Sequence, residues 1–121
     1  MTVIERIIDD VTVLDISGRI AVQDGASQFG RCMRHTLHLG RIHMVLNLDA
    51  VPYIDSTALG ELVRAYTTAS QMGGDLKLLH VGGRVRDLLT VVKLRPVFQL
   101  FDDEAAAVAS FRAAGQPLLP H

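Results

Sequence analysis

The chain has little cysteine: Cys32 is the only one in 121 residues. One thiol cannot close an internal disulfide, so packing alone must hold the fold, as in a reducing cytosol. It also lacks an excess of charge, with 12 Lys and Arg against 13 Asp and Glu for a formal net charge of -1. That balance lacks the basic footprint which nucleic acid selects, so no direct nucleic-acid contact is expected. No apolar run approaches the roughly 20 residues of a bilayer-spanning helix, so no membrane insertion is expected. The opening MTVIERIIDD lacks the basic flank and long apolar run of a signal peptide. These absences together predict a cytoplasmic protein. No internal repeat or low-complexity tract occurs. No G-x-G-x-x-G or G-x-x-x-x-G-K-[ST] cradle is present, and no cofactor is expected.

What is there is a globular composition, 49% hydrophobic and 21% charged. The length is that of one domain with one core. We expect that domain over residues 1–114 and a tail over 115–121, where Pro117 and Pro120 punctuate the end.

Val3, Ile4, Ile7 and Ile8, then Asp9-Asp10, then Val11, Val13, Leu14 and Ile16 read as a hairpin around an acidic turn. Ala26, Phe29, Met33 and Leu37 recur at helical spacing before Gly40. Ile42 to Leu48 is a short, nearly continuous apolar run, as in a strand buried on both faces. Ala58, Leu59, Leu62, Val63, Tyr66 and Ala69 form the stripe of a second helix, ended by Gly73-Gly74. Leu76 to Val81 reads as another buried strand. Val85, Leu88, Leu89 and Val92 mark a short helix, and Val97 to Phe101 a last strand opened by Pro96. Asp102 is the expected cap of a closing helix with Ala105, Val108, Ala109 and Phe111 inward. The order β-β-α-β-α-β-α-β-α predicts an α/β domain with a mixed sheet, because the hairpin precedes the alternation.

The informative segment is VLNLDAVPYIDSTALGEL, from Val45 to Leu62. A buried strand ends, the chain turns past Pro52, and Asp55-Ser56-Thr57 opens a helix. A hydroxyl there sits among unpaired backbone N–H groups at the positive end of the helix dipole. A phosphate on it would meet a favourable field, opposed by the like charge of Asp55. The plainer reading of Asp, Ser and Thr at that position is helix capping, worth about 1 kcal/mol. Residue type and position leave both readings open.

The run LNLDAVPYIDSTALGELVRAY resembles the signature segment of STAS domains of the anti-sigma factor antagonist type: apolar strand, D-S-[ST]-[AG]-hydrophobic-G, amphipathic helix. GGDLKLLHVGGRVRDLLTVVKLRPVFQLFDDEAAAVASF is similar to the family's later elements, and the hairpin followed by SGRI to its start. The match is weak from about Ala21 to Arg41, and Ala58 stands where Gly is frequent. The resemblance implies a protein-binding module and not an enzyme. Its phosphoacceptor would be Ser56, with Thr57 a second candidate. Its partner would be an anti-sigma factor serine kinase, bound when Ser56 is unmodified, with a serine phosphatase reversing the modification. The implied docking surface joins the turns from Ser17 to Asp24 and from Tyr53 to Thr57 to the helix that follows. Its contacts would come from Asp24, Tyr53, Asp55, Ser56, Thr57 and Gly60. The alternative it also implies is an adaptor in a stress-signalling assembly or lipid transporter, with no phosphorylation cycle.

Other constellations are weaker. Cys32, His35 and His38 recur at three-residue steps with His43 nearby, but three ligands on one helix face make a poor tetrahedron, and no metal is expected. Gly82-Gly83 with Arg84 and Arg86 sits in a strand-to-helix turn, where glycines can let backbone N–H groups approach an anion. No phosphate-binding motif is present, and it reads as a tight turn; a place for Arg84 and Arg86 on the partner surface is a weaker reading. His80 lies near a strand end, but Ser56 lacks the G-x-S-x-G of a nucleophile elbow. Asp55 lacks the acidic cluster of an aspartyl-phosphate site, because Asp9-Asp10 falls between two strands.

Overall fold

The computed structural model describes residues 1–21 and 25–113. Among them five strands and four helices follow in the predicted order. β1 (Thr2–Ile8) pairs antiparallel with β2 (Val11–Ser17). Asp9 and Asp10 turn the chain with φ of 49° and 65°. Two successive left-handed residues suit the twist of a two-residue hairpin, and Asp tolerates that region better than β-branched residues do. β3 (His43–Ala50), β4 (Asp75–Leu79) and β5 (Leu100–Phe101) then add in parallel, giving the sheet order β1-β2-β3-β4-β5.

The three parallel connections carry α1 (Ala26–His38), α2 (Ser56–Gln71) and α3 (Gly83–Val91). All three pack on one face of the sheet. Phe29, Met33 and Leu37 of α1, Leu59, Leu62 and Ala65 of α2, and Val85 and Leu89 of α3 bury against Leu14, Ile16, Met44, Leu46, Leu76 and Leu78. The opposite face is covered by α4 (Glu104–Ala113), which rests Ala107, Val108 and Phe111 on Val11, Val13, Val45 and Leu79. The alternation of β3 explains its apolar run: Met44 and Leu46 point one way and Val45 the other, and all three are buried.

The α4 face is laced with polar groups. Lys77 is 1% exposed in the middle of β4. Its Nζ donates to Ser110 Oγ at 2.8 Å and lies 4.3 Å from the centroid of the Phe111 ring. Burial pushes its pKa down. His43 sits edge-on to the same ring at 5.5 Å, and its buried Nδ1 has no hydrogen-bond partner among the described residues. Burial lowers its pKa as well. Nearer β1, Arg6 grips Asp15 (2.6 and 2.9 Å) and also pairs with Glu104, tying the start of α4 to the hairpin. The Arg6 guanidinium, helped by the Asn47 amide at 2.9 Å, holds the Asp15 carboxyl below its usual range.

The C-terminal third departs from expectation in four places. The last strand is only Leu100–Phe101, not Val97 to Phe101. Val97 N instead donates to Leu94 O in a turn, which drops Phe98 into the core. The cap of α4 is Asp103, whose Oδ2 accepts from Ala106 N at 2.8 Å, and not Asp102. Ala105 and Ala109 therefore face solvent, and Ala107 takes the inward place. Val92 is 41% exposed because α3 stops at Val91 and Lys93 turns left-handed. The expected tail, 115–121, lies outside the described residues.

Candidate functional site

The loop from β3 to α2 is anchored at both ends. Val51 and Ile54 bury themselves beneath it, at 2% and 4% exposure. Ile54 pairs with Ile20 in an isolated parallel bridge: Ile20 N donates to Tyr53 O at 3.0 Å, and Asp55 N donates to Ile20 O at 3.1 Å. Gly18 N donates to Ala50 O at 3.0 Å. The segment after β2 and the segment after β3 thus form one stitched surface. It brings together two of the stretches expected to dock a partner. Asp24, expected in the same surface, lies outside the described residues.

The start of α2 separates capping from exposure. Asp55 is the cap: its backbone is extended and its Oδ1 accepts from Ala58 N at 2.9 Å. Ser56 is the first helical residue and is exposed. Capping therefore belongs to Asp55 and leaves the Ser56 hydroxyl facing outward among the first-turn N–H groups.

Ser56 and Thr57 are neighbours in sequence but open onto different clefts. Ser56 lines a groove of about 370 Å³ with Tyr53, Asp55, Arg84, Asp87, Leu88 and Val91. Tyr53 is flanked by two guanidinium groups, Arg19 at 5.3 Å and Arg84 at 5.5 Å from its ring centroid. Thr57 faces α1 in a smaller cleft of about 220 Å³ shared with Ala26, Ser27, Arg34 and Glu61. There Glu61 is held by Arg34 at 3.1 Å and by Arg64 at 3.2 Å. It is tucked so closely over Gly30 that any Cβ at that position would collide with its carboxylate. One turn beyond Ser56, Gly60 is exposed, with open space where a side chain would stand.

The remaining candidates do not converge. Cys32 is half-buried while His35 and His38 face solvent, and His43 lies on the α4 side of the sheet. Among the described residues no three His, Cys, Asp or Glu side chains gather as metal ligands would. Burial pushes the Cys32 thiol up, away from thiolate character. His80 follows β4 with φ 55° and does not line the Ser56 groove. The tight-turn reading of Gly82-Gly83 is corrected. Gly82 has φ -69° and caps α3, Gly83 is not left-handed, and a Cβ at either would meet nothing. Arg86 reaches Asp102 at 3.7 Å, away from the groove that Arg84 lines.

Sequence reasoning missed Arg19 and the Arg34–Glu61–Arg64 cluster, in which Arg34 reaches Glu61 from 27 positions away. It also missed Lys77, although a lysine inside Leu76-Lys77-Leu78-Leu79 was a visible signal of a polar spot in a buried strand.

A family model for the STAS domain matches residues 3–107. The chain belongs to the STAS domain family. A curated relative, the anti-sigma F factor antagonist of Paenibacillus polymyxa, is 30% identical over 66 residues. That match covers 54% of this chain and 56% of the relative, so the aligned STAS segment spans little more than half of that protein's length. A solved Thermotoga maritima structure, whose own assignment as an anti-sigma factor antagonist is provisional, superposes with a TM-score of 0.85 at 25% identity. The superposition covers 91% of this STAS domain and 94% of that chain. The phosphorylated form of SpoIIAA, a Bacillus cell fate determinant, shares the fold with a TM-score of 0.71 at 15% identity, over 92% and 100% of the two chains. Among the described residues of this STAS domain no helix is long and apolar enough to cross a membrane.

Proposed function

We propose that this STAS domain is an anti-sigma factor antagonist that acts in the cytoplasm as a binding module rather than an enzyme. In its unmodified form it sequesters an anti-sigma factor serine kinase and so frees a sigma factor for transcription. The observation that carries this reading is the exposed Ser56 at the start of a helix that Asp55 already caps, on a turn stitched in place by Ile20. The name of the Paenibacillus relative and the existence of a phosphorylated SpoIIAA support it.

The docking surface comprises Asp24, Tyr53, Asp55, Ser56, Thr57 and the exposed start of α2. Gly60 fits this role. A glycine inside a helix costs about 1 kcal/mol relative to alanine, and no packing among the described residues requires one here. Its bare backbone lets a partner approach closely. The kinase supplies ATP and the catalytic groups. The bond from Ser56 Oγ to the γ-phosphorus forms as the bond to ADP breaks, and the hydroxyl proton passes to the kinase. The added charge of about −2 then disrupts the docked face, and a serine phosphatase restores the hydroxyl by hydrolysis.

The test is binding of the full chain to the kinase recovered from its host. Ser56→Ala is expected to bind and to resist switching, whereas Ser56→Asp is expected to lose binding by tenfold or more, and Gly60→Arg to lose it without unfolding. Equal binding by wild type, Ser56→Ala and Ser56→Asp overturns the switch. Absence of phosphate on the peptide from Pro52 to Arg64 under every growth and stress condition points instead to a constitutive adaptor.

A further inference from the structure

We infer that this chain carries its own receiver for a phosphate on Ser56: the guanidinium of Arg84, delivered by the first turn of α3 into the groove that Ser56 lines. The inference rests on the reading of Ser56 as a phosphoacceptor and specifies what the phosphate does next.

Three observations support it. First, Ser56 and Arg84 come from different elements, yet both line the same groove of about 370 Å³, which has room for a phosphate beside the helix start. Second, Arg84 makes no ion pair among the described residues; it rests over the Tyr53 ring at 5.5 Å. Such a stack is weak at an exposed site, so a dianion can draw the guanidinium away from it. Third, the arginine beside the neighbouring hydroxyl is already paired. Thr57 shares its cleft with Glu61, and the arginine there, Arg34, is already engaged by that carboxylate at 3.1 Å. Carboxylates line both clefts, so the difference lies in the arginines: a phosphate on Thr57 would meet a committed cation, whereas one on Ser56 meets an uncommitted one. The two clefts thereby distinguish Ser56 from Thr57 as the position where a phosphate is held.

The groove also contains Asp87, one turn along α3 from Arg84, and Asp55 at the helix cap, and both oppose the phosphate. Arg84 and Asp87 therefore act on the same modified group with opposite sign. In the modified state Arg84 pulls the phosphate inward over Tyr53, so the patch that a partner would cover is filled from within. The phosphate is then both a charge and a plug.

The experiment uses the full chain with phosphoserine placed at position 56 during translation, so that no kinase is needed. The readout is the ³¹P chemical shift of that phosphate as a function of pH. The dianion of free phosphoserine takes up a proton to become the monoanion near pH ~6. In the wild type that midpoint is expected to lie lower by about half a unit or more, because the nearby cation favours the dianion. Arg84→Gln is expected to raise it back, and Asp87→Asn to lower it further. Arg19→Gln, on the far side of Tyr53, is expected to move it less than Arg84→Gln. Equal midpoints for wild type, Arg84→Gln and Asp87→Asn overturn the receiver, and so does a larger effect from Arg34→Gln. A thermal melt of each exposed-site variant verifies that it is folded. The result is separable from the proposed function. A shifted midpoint with no kinase binding keeps the receiver and removes the antagonist. Kinase binding lost on phosphorylation with an unshifted midpoint does the reverse.

Discussion

The two faces of the sheet are built on opposite principles. The face under α1, α2 and α3 is predominantly apolar, with Leu14, Ile16, Met44, Leu46, Leu76 and Leu78 meeting three helices and the hydroxyls of Thr12 and Thr36 its buried polar groups among the described residues. The face under α4 has a small apolar centre and polar groups at both ends, Arg6–Asp15–Asn47–Glu104 towards β1 and His43–Lys77–Ser110 towards β4. The apolar face carries the α2 start and Ser56, and so positions the site on densely packed side chains. The polar face closes the fold with one short, alanine-rich helix. A functional turn needs fixed geometry, and burial of interlocking side chains supplies it better than a few directional contacts can.

The sharpest way to break this contrast is Phe111→Ala. Phe111 is fully buried and touches both Lys77 and His43, so its loss empties the centre of the α4 face. We expect a cost of about 3–5 kcal/mol by chemical denaturation. Amide exchange should then quicken along α4 while the protection of the Ser56 turn barely changes. Equal loosening of both regions would show that the faces fold as a single unit.

A smaller effect of opposite sign is expected from Lys77→Met. A buried ammonium with a single hydroxyl partner gains little over a well-packed thioether, so the variant should be as stable as wild type or more so by about 1 kcal/mol. The pH dependence identifies the cause. The folded-state pKa of Lys77 is lowered from 10.5, so the unfolded chain binds more protons in the window between the two values. Stability from this group therefore rises as pH climbs towards 10.5, and the Met variant should lack that rise. Cys32, raised from 9.0 by burial, contributes a fall above 9.0 in both proteins and cancels in the difference. A variant destabilised by several kcal/mol would mean that the Lys77 contacts, and not the apolar centre, hold α4.

The smallest effect sharpens the apolar face. Gly30→Ala should gain about 1 kcal/mol from helix propensity and lose a similar amount by displacing the Glu61 carboxylate, leaving thermal stability nearly unchanged. Paired with Glu61→Ala, the same substitution should show its gain in full. A gain already present in the single variant would mean that the Arg34–Glu61–Arg64 cluster contributes nothing.

The fold was legible wherever one periodicity ran uninterrupted. The α1 stripe from Ala26 to Leu37 and the β3 run from Ile42 announced their elements because burial on one or both faces dictates the spacing. Legibility fell after Leu89. There Leu94, Val97 and Phe98 are apolar without being a strand, because a single buried aromatic in a turn has no period to betray it. In α4, alanines filled almost every position from 105 to 109, so composition could not distinguish the inward Ala107 from the outward Ala105 and Ala109. At the site, Asp55-Ser56-Thr57 was visible as a helix start, but which residue caps and which faces out depended on a one-residue register. That register follows from the Ile20–Ile54 bridge, a contact across 34 positions that no local pattern reveals.

The Ile20–Ile54 bridge also has a kinetic consequence. A loop that is already ordered has little entropy left to lose when a second protein settles on it. A partner meeting this turn would not wait for it to find its shape, and the encounter rate would be set by diffusion and orientation. Altering the chemistry at Ser56 would then leave arrival nearly untouched and change chiefly how long the partner stays.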